Sequence, residues 1–312
     1  MDIFLKSISG ILVILGMILV GFVIGEKGWF DDKSRGLIAK LVTQIALPCY
    51  MLYTITQRFT SGDLLKMFPA LRFPALSMVI LLGIATAVAK IFAVRQTRRG
   101  LFISMFFNSN TIFVGLPINQ ALFGDVSIPY VLIYYMCNTT FFWTLGTYLI
   151  QRDGEGEARF DLKMSVKKVL SPPLIGFILG LVMVMLQIKL PAFLASDLQY
   201  LGNLTTPLSM IFIGLSVSHV GVKQLVLGKD QLLILLGRFV VAPLLMATIV
   251  YWVPLPSLMK QVFIIQSAMP VMTNAPVVAR LYGADSDYAA VMVTETTLAT
   301  MVVIPILMVL MA

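Results

Sequence analysis

Two apolar segments of this chain combine amide, hydroxyl and proline residues, a mixture suited to a binding site inside a membrane. The first covers residues 108–117 and reads NSNTIFVGLP; the second covers residues 266–276 and reads QSAMPVMTNAP. Proline removes one helical hydrogen bond, and in lipid every backbone polar group needs a partner. Both segments therefore predict helices that are unwound beside a cavity, and such interruptions in the two halves of a transporter are typical of a substrate site.

The chemistry expected at these breaks is the binding of an anion. The N-terminus of a half-helix presents free N–H groups and partial positive charge, which favour a carboxylate. Amides and hydroxyls add further donors and acceptors. The candidate substrate-binding residues at the breaks are Asn108, Ser109, Asn110, Thr111, Pro117, Ser267, Thr273, Asn274 and Pro276. The alternative interpretation is that the amides only cap broken helix ends.

Two further polar positions accompany the prolines of predicted helices 2 and 7. Gln44 lies close to Pro48, and Asn203 lies close to Pro207. If these prolines bend their helices around the site, both amides come close enough to touch a ligand. Hydrogen bonding between helices is the alternative role for them.

Arg238 and Glu295 are the two acidic or basic residues that lie deep inside predicted spans, seven and eight residues from the span ends. Charged side chains are costly there and often functional. Their similar depth makes a buried ion pair one interpretation. In the other, Arg238 attracts a substrate carboxylate while Glu295 carries a coupling proton. Neither broken segment contains Asp or Glu, which argues against an ion-binding carboxylate at the breaks themselves.

The composition indicates the class of protein that positions these residues. Apolar residues make up 59% of the 312 residues and charged residues 12%, against about 25% charged residues in a soluble domain. The mean hydropathy is +0.93. One membrane span needs roughly 20 apolar residues. The ten spans predicted on this basis lie near 5–25, 37–57, 69–90, 101–122, 127–150, 169–188, 198–218, 231–253, 258–280 and 287–311.

The net charge of +8 reflects membrane topology rather than nucleic-acid binding. Most lysines and arginines fall in the loops of one predicted face, which the positive-inside rule makes cytoplasmic, so both termini are expected outside. Cys49 and Cys137 lie within predicted spans and lack metal-ligand spacing, so we expect neither a disulfide framework nor a metal site. The sequence shows no nucleophile–base set and no phosphate-binding loop, which argues against an enzyme or a nucleotide-driven pump, and no cofactor is expected.

An internal repeat organises the predicted spans into two halves. Residues coincide when the chain is shifted by 159 positions: Gly21 with Gly180, Pro48 with Pro207, Pro117 with Pro276 and Gly124 with Gly283. Five spans per repeat is an odd number, so the second copy must be inverted in the membrane. We therefore predict a first repeat over 1–153, a cytoplasmic linker over 154–168 and an inverted repeat over 169–312, with broken helices 4 and 9 meeting near the midplane.

Several of these motifs resemble the auxin efflux carrier family. The stretch from Asn110 to Pro117, continuing to Gly124, is similar to the fourth-span signature of that family. Ala46-Leu47-Pro48, Pro207-Leu208-Ser209-Met210 and the stretch from Met269 to Pro276 also resemble it, in the expected order. The resemblance covers essentially the whole chain. The prolines of span 9 are six apart here, at Pro270 and Pro276, whereas the plant members have them five apart.

The resemblance implies a ten-helix fold similar to that of bile-acid sodium symporters, with helices 4 and 9 crossing. Helices 1, 2, 6 and 7 would form a scaffold, and helices 3–5 and 8–10 a transport domain. Family binding positions map onto Asn110 and the Pro117 break, and onto Thr273, Asn274 and the Pro276 break. Bacterial members of this length resemble permeases for malate or malonate, which implies the bacterial inner membrane, contact with lipid and a homodimer through the scaffold.

The sequence therefore predicts a secondary transporter that moves a small organic anion by alternating access. The anion is a mono- or dicarboxylate such as malate or malonate, or an auxin-like acid. The alternative is a sodium- or proton-coupled symporter or antiporter of the same fold that carries a different solute.

Overall fold

The computed structural model describes residues 2–154, 162–220 and 227–311, and within these ranges the chain is helical and contains no β-strand. Part of the predicted linker, residues 155–161, lies outside the described residues. The α-helices are α1 (Asp2–Glu26), α2 (Asp32–Leu41), α3 (Leu47–Arg58), α4 (Ser61–Met67), α5 (Arg72–Ile91), α6 (Arg99–Phe107), α7 (Gly115–Phe123), α8 (Ile128–Phe141), α9 (Thr147–Gln151), α10 (Leu162–Val169), α11 (Pro172–Met185), α12 (Ala192–Asn203), α13 (Thr205–Val220), α14 (Lys229–Leu236), α15 (Ala242–Tyr251), α16 (Ser257–Ser267), α17 (Ala275–Tyr282) and α18 (Ser286–Met311).

Several helical segments are long and apolar enough to cross a membrane. Among the described residues these are Lys33–Arg58, Phe68–Ile91, Ala192–His219, Lys229–Tyr251 and Ser286–Met311. Leu12–Glu26 and Pro172–Met185 are shorter apolar helices. The chain is thus an all-α protein with the character of a polytopic membrane protein, while the number of ten spans stays a prediction.

The two segments with amides and prolines are interrupted helices. In the first, α6 and α7 are separated by residues 108–114, which we call the first break. In the second, α16 and α17 are separated by residues 268–274, the second break. We refer to α6 and α16 as the leading half-helices and to α7 and α17 as the trailing half-helices.

One group of helices packs through small residues. α1 lies along α13, and α3 lies along α11 and α12. A Cβ atom added to Gly21 would stand 2.3 Å from the carbonyl oxygen of Ile211, and one added to Gly176 would stand 2.5 Å from that of Pro48. Glycine at these contacts lets the backbones approach closely, as is common between membrane helices.

A second group of helices surrounds the breaks. α5 packs on α6, α8 and α15, α15 packs on α16, and α17 packs on α18. A buried core that includes Phe102, Phe106 and Met292 joins several of these helices. The interrupted helices are therefore held from several sides.

Three short π-helical segments interrupt longer helices near the breaks. They cover Val42–Ala46, between α2 and α3, Phe142–Gly146, between α8 and α9, and Gly237–Val241, between α14 and α15. Single-turn π segments inside α-helices are frequent at functional sites. All three contribute a residue to the region described next.

Candidate functional site

The first break is held in place by a buried amide on α8. The backbone N–H of Ser109 donates to Asn138 Oδ1 at 2.8 Å, and Asn138 Nδ2 donates to the carbonyl oxygen of Ser109 at 2.7 Å. Asn110 Oδ1 accepts the N–H of Phe113 at 3.1 Å. These side chains replace hydrogen bonds that the unwound backbone no longer makes with itself, as a buried backbone requires. Asn138 is a site residue that the sequence does not indicate, since its partner is 29 residues away in the chain.

The two breaks touch each other directly. The backbone N–H of Asn110 donates to the carbonyl oxygen of Pro270 at 2.8 Å. Gln266 Nε2, from the last turn of α16, donates to the carbonyl oxygen of Thr111 at 3.2 Å. We call this contact between residues 108–114 and 268–274 the crossing. The second break is also bound to α18, because the N–H of Val271 donates to Thr296 Oγ1 at 3.0 Å.

The prolines stand after the breaks rather than within the unwound turns. Pro117 is the third residue of α7, and Pro276 is the second residue of α17. The first four N–H groups of any helix have no partner within it, so a proline costs little there. The two prolines therefore favour the start of each trailing half-helix, while Pro270 lies inside the second break.

A cavity of about 320 Å³ lies against both breaks. Its lining is formed by Thr43, Gln44, Leu47, Ser109, Asn110, Thr111, Ile112, Phe113, Tyr135, Thr139, Trp143, Lys168, Leu170, Ser171, Pro172, Pro173, Met272, Thr273 and Asn274. The predicted residues that meet here are Gln44, Ser109, Asn110, Thr111, Thr273 and Asn274. Residues from α3 and its preceding π segment, both breaks, α8 and the start of α11 thus share one space.

The remaining predicted residues lie away from this lining. Asn108 is buried and donates to the carbonyl oxygen of Ser104, and the Ser267 hydroxyl donates to the carbonyl oxygen of Ile264. Pro117 and Pro276 belong to the trailing half-helices. Asn203 is exposed at the end of α12.

The cavity faces the N-termini of both trailing half-helices. Phe113 stands two residues before the first residue of α7, and Asn274 is the N-cap residue of α17. The Asn274 side chain makes no capping hydrogen bond within the described residues, so its amide is available to a ligand. Helix N-termini and unused amide donors together favour a negatively charged group.

Lys168 is a cavity residue whose place in the predicted cytoplasmic linker indicated only a contribution to the positively charged face. It is the charged member of the described lining, and its Nζ lies 4.6 Å from the centre of the Trp143 ring. Partial burial lowers the pKa of Lys168 below its ordinary value. Nearby, the hydroxyls of Tyr135 and Ser171 are hydrogen bonded at 2.8 Å. The only sequence signal was a lysine just before an apolar helix that begins with two prolines.

A polar network closes the end of α7 that is farther from the cavity. Arg58 Nη2 lies 2.6 Å from Asp125 Oδ2, while the hydroxyl of Tyr50 and Nε2 of Gln120 donate to Asp125 Oδ1 at 3.2 and 2.8 Å. Thr206 Oγ1 donates to Gln120 Oε1 at 2.9 Å. We call these five residues the Asp125 network. It connects α3 and α13 to the end of α7, a helix of nine residues and therefore about 14 Å long.

Arg238 and Glu295 have different surroundings. The Arg238 side chain is completely buried, and its guanidinium donates to the carbonyl oxygens of Phe106, Ser267 and Met269. Glu295 is 7% exposed, and its carboxylate oxygens have no hydrogen-bond partner among the described residues. The described hydrogen bonds and ion pairs do not join the two side chains.

Comparisons with known proteins agree with a transporter. A family model described as "Membrane transport protein" matches residues 7–308. The chain is 28% identical over 301 residues to an uncharacterised transporter of Methanocaldococcus jannaschii, with 94% of this chain and 95% of that protein covered. It is 25% identical over 312 residues to an uncharacterised transporter of Methanothermobacter thermautotrophicus, with 97% and 98% covered.

The matched residues include both breaks and nearly all of the helices, so the similarity concerns the whole architecture and not one motif. This similarity assigns the protein to transporters and not to enzymes. It also agrees with the motifs from Asn110 to Pro117 and from Met269 to Pro276. The chain therefore belongs to the membrane transport protein family, which is the auxin efflux carrier family that its sequence motifs resemble.

Proposed function

We propose that this protein is a secondary transporter that carries a small organic anion across the cytoplasmic membrane by alternating access. The observation that carries the proposal is the cavity at the crossing, where unused amides, two helix N-termini and Lys168 converge. A volume of about 320 Å³ is at the small end of the range of about 300–1,000 Å³ for ligand sites. This size favours short mono- or dicarboxylates such as malate or malonate over an aromatic, auxin-like acid.

The proposed architecture has a scaffold and a moving domain. The pairing of α1 with α13 and of α3 with α11 supports a scaffold made from helices 1, 2, 6 and 7, since an inverted repeat exchanges one pair for the other. The breaks, α5 to α9 and α14 to α18 then belong to the domain that moves. On this view the cavity opens toward the linker and the cytoplasm, both termini are outside, and a homodimer forms through the scaffold in a bacterial inner membrane.

The charge of an anionic substrate determines which direction of transport needs a coupled ion. An anion that leaves a cell with a negative interior gains about 2.3 kcal/mol per charge for each 100 mV. Export therefore needs no coupled ion, whereas concentrative uptake would need one. A second candidate function, a sodium- or proton-coupled carrier of the same fold, is favoured by the buried Glu295 carboxylate without a hydrogen-bond partner among the described residues.

Transport by purified protein in liposomes tests the proposal. Labelled malate, malonate and an aromatic acid are followed with and without a membrane potential, in the wild type, Asn110→Ala and Asn274→Ala. We expect saturable flux that responds to the potential and falls at least about tenfold in both variants, because each loses hydrogen bonds to a charged ligand. Gln199→Ala, an exposed amide on α12, is the matched control and should keep wild-type flux.

The proposal fails if folded wild-type protein moves none of these acids under any gradient. Sodium and proton gradients are then applied with other solutes, and Glu295→Gln becomes the informative variant. Loss of flux in Glu295→Gln together with dependence on a sodium or proton gradient would support the coupled carrier.

A further inference from the structure

Arg238 occupies a position that neither an ion pair nor direct contact with a ligand explains. It lies in the π segment Gly237–Val241, is completely buried, and is absent from the cavity lining. Nε donates to the carbonyl oxygen of Met269 at 3.1 Å, and Nη1 donates to that of Phe106 at 3.1 Å. Nη2 donates to the carbonyl oxygens of Ser267 and Met269 at 2.5 and 3.0 Å. One side chain thus binds both interrupted helices.

These carbonyl groups belong to the C-terminal ends of the leading half-helices. Phe106 is in the last turn of α6, Ser267 is the last residue of α16, and Met269 lies two residues beyond it in the second break. The last carbonyl groups of a helix have no partner within it and carry partial negative charge. Two such ends meet behind the crossing, where Phe106, Ser267 and Met269 are buried. The Arg238 cation supplies the hydrogen bonds that these oxygens lack and offsets their negative charge.

We propose that Arg238 is a positioning residue of the substrate site, which fixes the two breaks against each other and leaves the crossing with a positive field. With the negative helix ends offset, the positive N-termini of α7 and α17 dominate the electrostatics at the cavity. Neither break contains an acidic residue that would oppose them. This inference rests on the proposed function, because it explains how a site with few charges of its own attracts an anion.

Arginine is required here because of its geometry. The guanidinium is a planar fork with five N–H donors, so it reaches carbonyl groups on two helices at once, whereas lysine offers three donors on one atom. The approach also depends on the preceding glycine. A Cβ atom on Gly237 would stand 2.3 Å from the Phe106 ring, so a larger residue would separate this segment from α6.

The test compares Arg238→Gln and Arg238→Lys with the wild type in malonate transport, normalised to folded protein. We expect the KM to rise about tenfold or more in Arg238→Gln and less in Arg238→Lys, since the lysine keeps the charge and part of the hydrogen bonding. Arg280→Gln removes an exposed cation from the end of α17 and should leave the KM unchanged. A purely structural role would lower the Vmax or the yield of folded protein at an unchanged KM, and that result would overturn the inference.

Hydrogen–deuterium exchange provides a readout that does not depend on substrate. Amides of residues 108–114 and 268–274 should exchange faster in both Arg238 variants than in the wild type, while those of α3 and α11 keep their rates. Unchanged exchange at the breaks overturns the inference even if transport changes. If the wild type moves no carboxylate, the proposed function fails, and faster exchange at the breaks would still support the positioning role of Arg238.

Discussion

At the scale of single residues, the site depends on side chains that replace or complete backbone interactions. Asn138 supplies the hydrogen bonds that Ser109 loses at the first break, and Arg238 does the same for the carbonyl groups behind the crossing. Asn274 makes no capping hydrogen bond among the described residues, so its amide is available at the cavity. Lys168 then provides the charge that a carboxylate substrate meets at the cavity wall.

The charge of Lys168 predicts a pH dependence of affinity. Burial lowers the pKa of Lys168, so its positive charge is present below that lowered value and is lost as the pH rises through it. We expect the KM for malonate in the wild type to rise at alkaline pH, and the rise should begin below the pKa of an ordinary lysine. The increase should be about three- to fivefold, since an ion pair between a partly exposed lysine and a carboxylate contributes little binding energy.

Two variants and a control make the pH experiment specific. Lys168→Arg should hold a low KM to higher pH, because the guanidinium stays protonated, and Lys168→Gln should show the raised KM at every pH. Lys163→Gln, an exposed lysine on α10, should behave as the wild type. An equal pH profile in Lys168→Arg and the wild type would contradict the prediction.

At the scale of helices, close packing determines whether the framework can hold the breaks. α1 approaches α13 so closely that Gly21 has no room for a side chain, since a Cβ atom would lie 2.8 Å from the Cα atom of Ile211. Backbone atoms cannot move aside as a flexible side chain can. The contact is therefore sensitive to the addition of a single methyl group.

Substitution of two glycines on the same helix tests this packing. Gly21→Ala should lower the free energy of unfolding by about 1–3 kcal/mol, the usual cost of overpacking. Gly16→Ala adds a methyl group where nothing lies within 4 Å, so it should be neutral or slightly stabilising. Thermal unfolding of the purified protein in detergent measures both, and similar melting temperatures in the two variants would contradict the prediction.

At the scale of the whole molecule, the cavity and the Asp125 network lie at different ends of α7. The network joins α3 and α13 to the end of α7, whereas the cavity lies at the break that precedes this helix. If α3 and α13 belong to a scaffold and α7 to the moving domain, the network keeps the transport path closed at its own end while the cavity is open at the other end. Breaking the network should then raise the population of the state in which the path is open at the network's end.

A thiol reporter in the first residue of α13 measures this shift. Thr205→Cys is placed in a Cys49→Ala background, where Cys137 is buried, and is labelled with a reagent that does not cross the membrane. Asp125→Ala should raise the labelling rate about fivefold, because the network contributes on the order of 1 kcal/mol. Lys189→Gln removes an exposed cation from the loop between predicted spans 169–188 and 198–218, and it should leave the rate unchanged. Equal labelling with and without Asp125 would exclude this role for the network.

The sequence by itself determined the membrane class, the family and the position of the two interruptions. Apolar content, charge distribution and the spacing of Asn110, Pro117, Asn274 and Pro276 are local properties of the chain, and they are visible without knowledge of its packing. Six of the residues predicted for the site do meet in one cavity. They lie in or beside segments whose residues interrupt a regular helix.

The tertiary structure alone decided which groups become partners. The bonds from Arg238 to the carbonyl oxygens of Phe106 and Ser267 connect residues 132 and 29 positions apart. The place of Lys168 in the cavity wall and the exposed position of Asn203 also depend on how the helices pack. Residue type and spacing show that a buried cation needs partners, but only the packing of helices determines whether the partner is a carboxylate, a ligand or a carbonyl oxygen at a broken helix end.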